Sequence, residues 1–313
     1  MLQYYQQSQQ AGGWLLPIRW MAPESFYDGV WNVETDAWML GVLIWGFYTR
    51  ITLDRSLLIT SHSLEIFSFG ELPWRDVPDS QVMRSIKQTK KLSQPKVCPP
   101  EVYNIMQGCW KLDASVRLSS QTVSDQLVTL FKRTGKDESS ISWPGANGLS
   151  AVVNEAQDTI NGIDVTSLAF QRRFEELEID RGQMVFGRQL GKGAFGSVHM
   201  ISIDGQEYAA KTLNSDSTEL QEKFLLETKL LCALSHASVV RLVHVCARTM
   251  PYVMVVELMG TDLKGYLAGK DASIVGLDEL VGACLQIAQA MSYLSSFKVI
   301  HRDLAARCGY LVK

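Results

Sequence analysis

The stretch Leu190–Lys211, LGKGAFGSVHMISIDGQEYAAK, constrains this chain more than any other. It holds Gly191-x-Gly193-x-x-Gly196, then Val198, an Asp204-Gly205 pair suited to a tight hairpin turn, and Tyr208-Ala209-Ala210-Lys211. Glycines at that spacing are ambiguous alone, because ordinary turns and dinucleotide-binding loops share it. The flanks separate the readings. A dinucleotide loop runs directly into a helix, whereas here Met184-Val185-Phe186 precedes and Ser197-Val198-His199-Met200-Ile201 follows, both strand-like. Two strands joined by a glycine turn let backbone N–H groups approach phosphate oxygens with no Cβ in the way. A lysine on the next strand, Lys211, can then neutralise phosphate charge.

Two stretches downstream narrow the reading. Glu227, in an expected helix from Glu219 to Leu234, is an acid able to pair with Lys211; by itself it would read as a solvated helix charge. Near the end comes His301-Arg302-Asp303-Leu304-Ala305-Ala306-Arg307. Glycine loop, lysine, helix glutamate and H-R-D in this order resemble the protein kinase family. The resemblance implies an α+β, bilobal fold with a mainly helical lobe and a five-stranded antiparallel nucleotide lobe, and a reaction that moves the γ-phosphoryl group of ATP with Mg2+. It makes Leu190, Gly191, Lys192, Gly193, Ala194, Phe195, Gly196 and Val198 the loop over ATP, with Ala209 and Lys211 on the following strands. Val256 becomes the gatekeeper, and Glu257 to Met259 the hinge facing adenine. Asp303 is then the acceptor of the substrate hydroxyl proton, Arg307 helps to fix the substrate, and Lys211 with Glu227 completes the catalytic set.

The order of the motifs is unusual. Ala22-Pro23-Glu24, in LPIRWMAPE, resembles the end of a kinase activation segment, which in the family follows H-R-D; here it precedes H-R-D. The stretch after it continues as the family's helical lobe: Asp36 resembles the buried aspartate that fixes the catalytic-loop backbone, and Glu24 with Arg117 resembles the ion pair anchoring the activation segment. An unpaired charge buried there would be costly, so both partners are needed. The expected division is 1–133 as a carboxy-terminal kinase half, a Ser/Gly/Asn-rich linker at 134–173, and 174–313 as an amino-terminal half with hinge and catalytic loop. Within the first half, Gly46 to Leu64 interrupts the family pattern and reads as an insertion that loops out, or as untranslated sequence retained in the chain. Two origins fit the order: a fragment of a tandem-kinase protein, or a circular permutant whose linker joins the original termini.

Composition excludes several classes. With 313 residues, 46% of them hydrophobic and 20% charged, the chain can bury a sizeable core. A net charge of −3 offers no basic field for nucleic acid or an anionic membrane. Six cysteines stand without zinc-type spacing, which suits reduced thiols. Apolar runs such as Trp38 to Trp45 fall short of a membrane span, and the polar start MLQYYQQSQQ has no signal-peptide core, so the chain is expected to be soluble and cytoplasmic. The resemblance also admits the cytoplasmic part of a membrane receptor.

Ala305-Ala306-Arg307, Trp20-Met21-Ala22-Pro23-Glu24 and Cys109-Trp110 resemble receptor tyrosine kinases, and Glu257-Leu258-Met259 with Asp262-Leu263-Lys264 resembles the insulin-receptor-like group. That implies protein substrates bearing tyrosine, admits a partner kinase domain, and implies autophosphorylation at Tyr4 and Tyr5, which would gain charge and pair with arginine. Two departures count against catalysis. Cys308 stands after Arg307 where the family has a magnesium-binding asparagine, and no Asp-Phe-Gly follows before Lys313. Magnesium wants hard oxygen ligands, so a thiol is no replacement. The expectation is a weak or inactive kinase, with a pseudokinase-like ATP-binding or scaffold module as the alternative.

Overall fold

The computed structural model describes residues 17–50, 72–136, 159–160, 163–164, 167–192, 196–262, 276–304 and 310–312. Local chemistry sets the helix starts in the first part. Pro23 opens α1 (Pro23–Tyr27), where a missing backbone N–H costs nothing. Ahead of α2 (Val33–Arg50) the Asn32 side-chain Oδ1 accepts from the Thr35 N–H at 2.9 Å, while Thr35 Oγ1 accepts from the Asn32 N–H at 3.1 Å. This is a reciprocal cap with threonine in the role usually given to glutamate. Then follow α3 (Asp79–Lys87), α4 (Pro100–Cys109) and α5 (Ser120–Lys132), the last capped by Ser119 Oγ on the Thr122 N–H at 3.1 Å.

The axis of this part is α2, buried from Ala37 to Met39 and onward on every side, as a helix apolar all round must be. A Cβ at Gly41 would lie 2.7 Å from Cys109 Cβ and 2.8 Å from Trp110 Nε1, so glycine is what lets α4 close on α2. The insertion expected at 46–64 is corrected at its start. Gly46 to Arg50 continue α2, and Phe47 and Tyr48 are fully buried. Their apolar side chains extend the run from Trp38, and neither proline nor a capping residue stops the helix at Gly46. Residues 51–64 lie outside the described residues.

The second part begins earlier than the expected linker boundary. β1 (Thr159–Ile160) pairs with β2 (Ile163–Asp164), and α6 (Leu168–Glu176) starts on Ser167, whose Oγ accepts from the Phe170 N–H at 3.3 Å. Phe170 is buried and Phe174 packs against the main core, so 168–173 belong to the folded body; their Ser-rich neighbourhood hid a capped amphipathic helix.

Next come β3 (Val185–Lys192), β4 (Gly196–Ile203), β5 (Gln206–Leu213), α7 (Thr218–Ala233), β6 (Leu242–Cys246) and β7 (Val253–Glu257). The strands form one antiparallel sheet in the order β3-β4-β5-β7-β6, as expected for the α+β reading. Asp204 and Gly205 turn β4 into β5 with φ of 50° and 81°, the left-handed pair that matches hairpin twist. β8 (Met259–Asp262), α8 (Leu277–Ser296) and β9 (Tyr310–Val312) complete the described elements, with β8 and β9 paired antiparallel.

The two parts share one core. Helix α8 packs against α5 and α2, so Leu285 and Leu294 of the second part join the same buried cluster as Leu40 and Leu127 of the first. Ser292 Oγ donates to Gln121 Oε1 at 2.5 Å, and Lys136 pairs with Asp278 across the same seam.

Candidate active site

Lys211 stands in the middle of β5, opposite Val198 of β4 and Met254 of β7. Its Nζ meets both oxygens of Glu227, on α7, at 2.7 Å. The pair remains open to water, with the lysine side chain 43% and the glutamate 20% exposed. Phe224, one turn before Glu227, places its ring 5.8 Å from the ammonium. These contacts hold the lysine extended along the sheet face rather than free to sweep through solvent.

β3 and β4 carry the two ends of the glycine motif, with Gly191 opposite Val198 and Lys192 opposite Ser197. A Cβ at Gly196 would lie 2.0 Å from the Thr212 carbonyl oxygen, a clash with backbone that no rotamer relieves. Leu190 is exposed at the strand end. Gly193, Ala194 and Phe195 lie outside the described residues. Ala209 pairs with Val256, and Tyr208 with Glu257, which sets the expected gatekeeper beside the expected adenine face. Met259 begins β8 opposite Val312.

The Glu257 carboxylate accepts from the Arg241 N–H at 2.8 Å, and the Glu257 N–H donates to the Arg241 carbonyl at 3.3 Å. Sequence reading missed this brace, because nothing local links positions 241 and 257. It also missed Arg19, which donates to the carbonyls of Pro73, Trp74 and Val77 and pairs with Asp79 at 2.6 Å. An arginine between apolar Ile18 and Trp20 was the available signal.

Across the seam, Asp36 of α2 accepts from the His301 N–H at 2.6 Å and from the Arg302 N–H at 2.9 Å. Arg302 sits at φ 64°, a left-handed turn that aligns two consecutive N–H groups on one carboxyl. Burial pushes the Asp36 carboxyl up to about 7, against the pull of those two N–H groups and the Arg302 charge. Asp303, which follows, is buried, and its N–H donates to His301 Nδ1 at 3.4 Å. Glu24 and Arg117 meet at 2.6 and 3.3 Å, with the arginine side chain wholly buried. Arg117 also donates to the Glu34 carbonyl at 2.8 Å and to the Lys111 carbonyl at 3.1 Å, so its other N–H groups are not stranded. Arg307, Tyr4 and Tyr5 lie outside the described residues.

A family model of protein tyrosine and serine/threonine kinases matches residues 1–54, 61–127 and 184–312. The chain belongs to the protein kinase family. Over 119 residues, 38% of this kinase chain, it is 35% identical to the high affinity nerve growth factor receptor of Rattus norvegicus. It is 36% identical to the NT-3 growth factor receptor of Gallus gallus over 123 residues, 39% of the chain. The matched part spans only 12% and 13% of those receptors' own lengths. Among the described residues, no helix of the kinase chain is long and apolar enough to cross a membrane.

Proposed function

We propose that this chain carries an ATP-dependent protein tyrosine kinase site assembled from its two parts, with the helical part preceding the nucleotide part. The observation that carries the reading is a pair of holds on side chains and backbone of the expected site: Lys211 fixed by Glu227, and the His301–Arg302 backbone fixed by Asp36. Lys211 is the cation for ATP phosphates, and Glu227 keeps it aimed. The loop around Gly191, Gly193 and Gly196 offers backbone N–H groups, and Val256 to Met259 line the adenine side. Asp303 accepts the proton of the attacking hydroxyl, and Arg307 orients the phenol. Tyrosine is favoured over serine by Ala305-Ala306-Arg307 and by the growth factor receptors among the relatives.

ATP fits these residues. A lysine half open to solvent yet braced by a carboxylate can take up phosphate without a buried charge being stranded. Magnesium fits poorly. Among the described residues no three His, Cys, Asp or Glu side chains converge to hold a metal, and Cys308 offers sulfur where a hard oxygen donor is needed. That donor set favours a second reading, a pseudokinase-like module that binds ATP or a protein partner with little transfer.

One experiment separates the two. ATP should raise the melting temperature of the 313-residue chain, and Lys211→Met should remove that rise; equal stabilisation of both proteins sinks the nucleotide site. Phosphorylation of a tyrosine peptide should stay near background, and should appear when Cys308→Asn is combined with an added Asp-Phe-Gly segment. Asp303→Asn should then abolish it. Robust Asp303-dependent transfer without those changes overturns the account of the metal ligands and leaves the kinase reading intact.

A further inference from the structure

A cavity of about 300 Å3 opens in the helical part, away from Lys211 and Asp303 and with no role in the reading above. Its walls include Trp38 of α2, Trp74, and Trp110 just after α4. Trp38 and Trp110 are buried, with only 4% and 5% of their surfaces exposed, and Arg117 stacks over the Trp38 ring at 5.2 Å. Three indoles around one space make a flat, polarisable surface suited to an aromatic body.

The rim is cationic. Lys90 and Lys91 follow α3 and Lys111 follows Trp110, and all three line the opening with exposed side chains. Among the described residues none of the three makes an ion pair, and no acidic residue lines the cavity. The neighbouring Asp113 is turned onto Ser115, whose N–H and hydroxyl it accepts at 2.9 and 2.7 Å. Apolar walls with a few convergent polar groups at the mouth describe a small-molecule site, and the volume stands at the lower end of such sites.

We propose that this cavity binds an amphipathic organic anion: a compact aromatic body against Trp38, Trp74 and Trp110, with a single carboxylate at Lys90, Lys91 and Lys111. The three positive charges disfavour a cationic ligand, and the apolar walls disfavour a bare inorganic anion. A flat body is preferred to a long chain, because the space is short and walled by rings.

The probe is naphthalene-2-carboxylate, titrated into the full 313-residue chain and followed by calorimetry, with naphthalen-2-ylmethanol as the neutral counterpart. Saturable binding is expected, about tenfold weaker for the alcohol and about tenfold weaker for carboxylate on the Lys90→Gln/Lys91→Gln/Lys111→Gln variant, as partly exposed charge contacts imply. The triple variant should lose the preference for carboxylate over alcohol while keeping the wild-type melting temperature, since all three side chains are exposed. Saturating ATP should leave the affinity unchanged. The proposal is overturned by absence of saturable binding, by binding that the lysine substitutions do not weaken, or by competition with ATP.

Discussion

Two ion pairs, one in each part, use the same chemistry under opposite conditions. Glu24 and Arg117 meet with the arginine side chain fully buried, and the other guanidinium hydrogen bonds go to the backbone carbonyls of Lys111 and Glu34. Lys211 and Glu227 meet with a shorter list of partners and with the lysine 43% exposed. A buried charge that loses its partner cannot be rescued by water, whereas an open one can. The first pair is therefore committed to holding α1 against the segment beyond α4. The second can lose its carboxylate at small cost to the fold, because water already reaches the lysine.

The sharpest way to break this contrast is to remove one carboxylate at each place. Glu24→Gln should cost about 3 to 5 kcal/mol of stability, because it leaves the Arg117 charge buried without its counter-ion. Urea denaturation reads this directly, and a loss below about 1 kcal/mol would mean that water reaches Arg117.

A second test uses pH at the seam. Asp36 is raised from 3.8 to about 7, so between those values the folded chain keeps a proton that the unfolded chain has lost. The proton bound on folding favours the native state at low pH, and this contribution is lost as pH rises through about 7. The stability advantage of wild type over Asp36→Asn should accordingly shrink from about pH 4 to pH 7. A gap independent of pH would show that the two N–H groups, not burial, govern the carboxyl.

A smaller effect is expected in the same buried region, with opposite sign. Tyr48 is fully buried, its hydroxyl finds no hydrogen-bond partner among the described residues, and burial pushes its ionisation far up. Tyr48→Phe removes a desolvated polar group from an unchanged shape, so stability should rise by about 1 kcal/mol. A destabilised variant would reveal a partner for the hydroxyl. Smallest of all, Glu227→Gln should change stability by less than about 1 kcal/mol while weakening ATP-induced stabilisation. A large stability loss there would erase the distinction between the two pairs.

Much of the nucleotide part was legible because its determinants are local. The Asp204-Gly205 turn, the strand runs around it, and the helix carrying Glu227 each follow from a few neighbouring residues. Glycine at position 196 was readable as a motif, although the reason, the Thr212 carbonyl against it, belongs to the paired strand. The helical part was less legible at its edges. The apolar run from Trp38 through Phe47 and Tyr48 is local, but the polar residues after it mask where the helix ends, and the Ser-rich surroundings of Ser167 mask its capping role on α6.

By itself the sequence determined which residues carry charge, which positions bend as glycine, and where several of the helices start. Those terms act over about four residues, through capping, periodicity and turn chemistry. Tertiary structure alone decided that Asp36 reaches the N–H groups of His301 and Arg302, 265 and 266 positions away, and that α8 closes on α5 and α2. It also decided that Arg241 braces Glu257, and that three tryptophans and three lysines surround one cavity. Such meetings depend on how whole apolar faces pack once helices and sheet exist, and close packing couples every face to all the others.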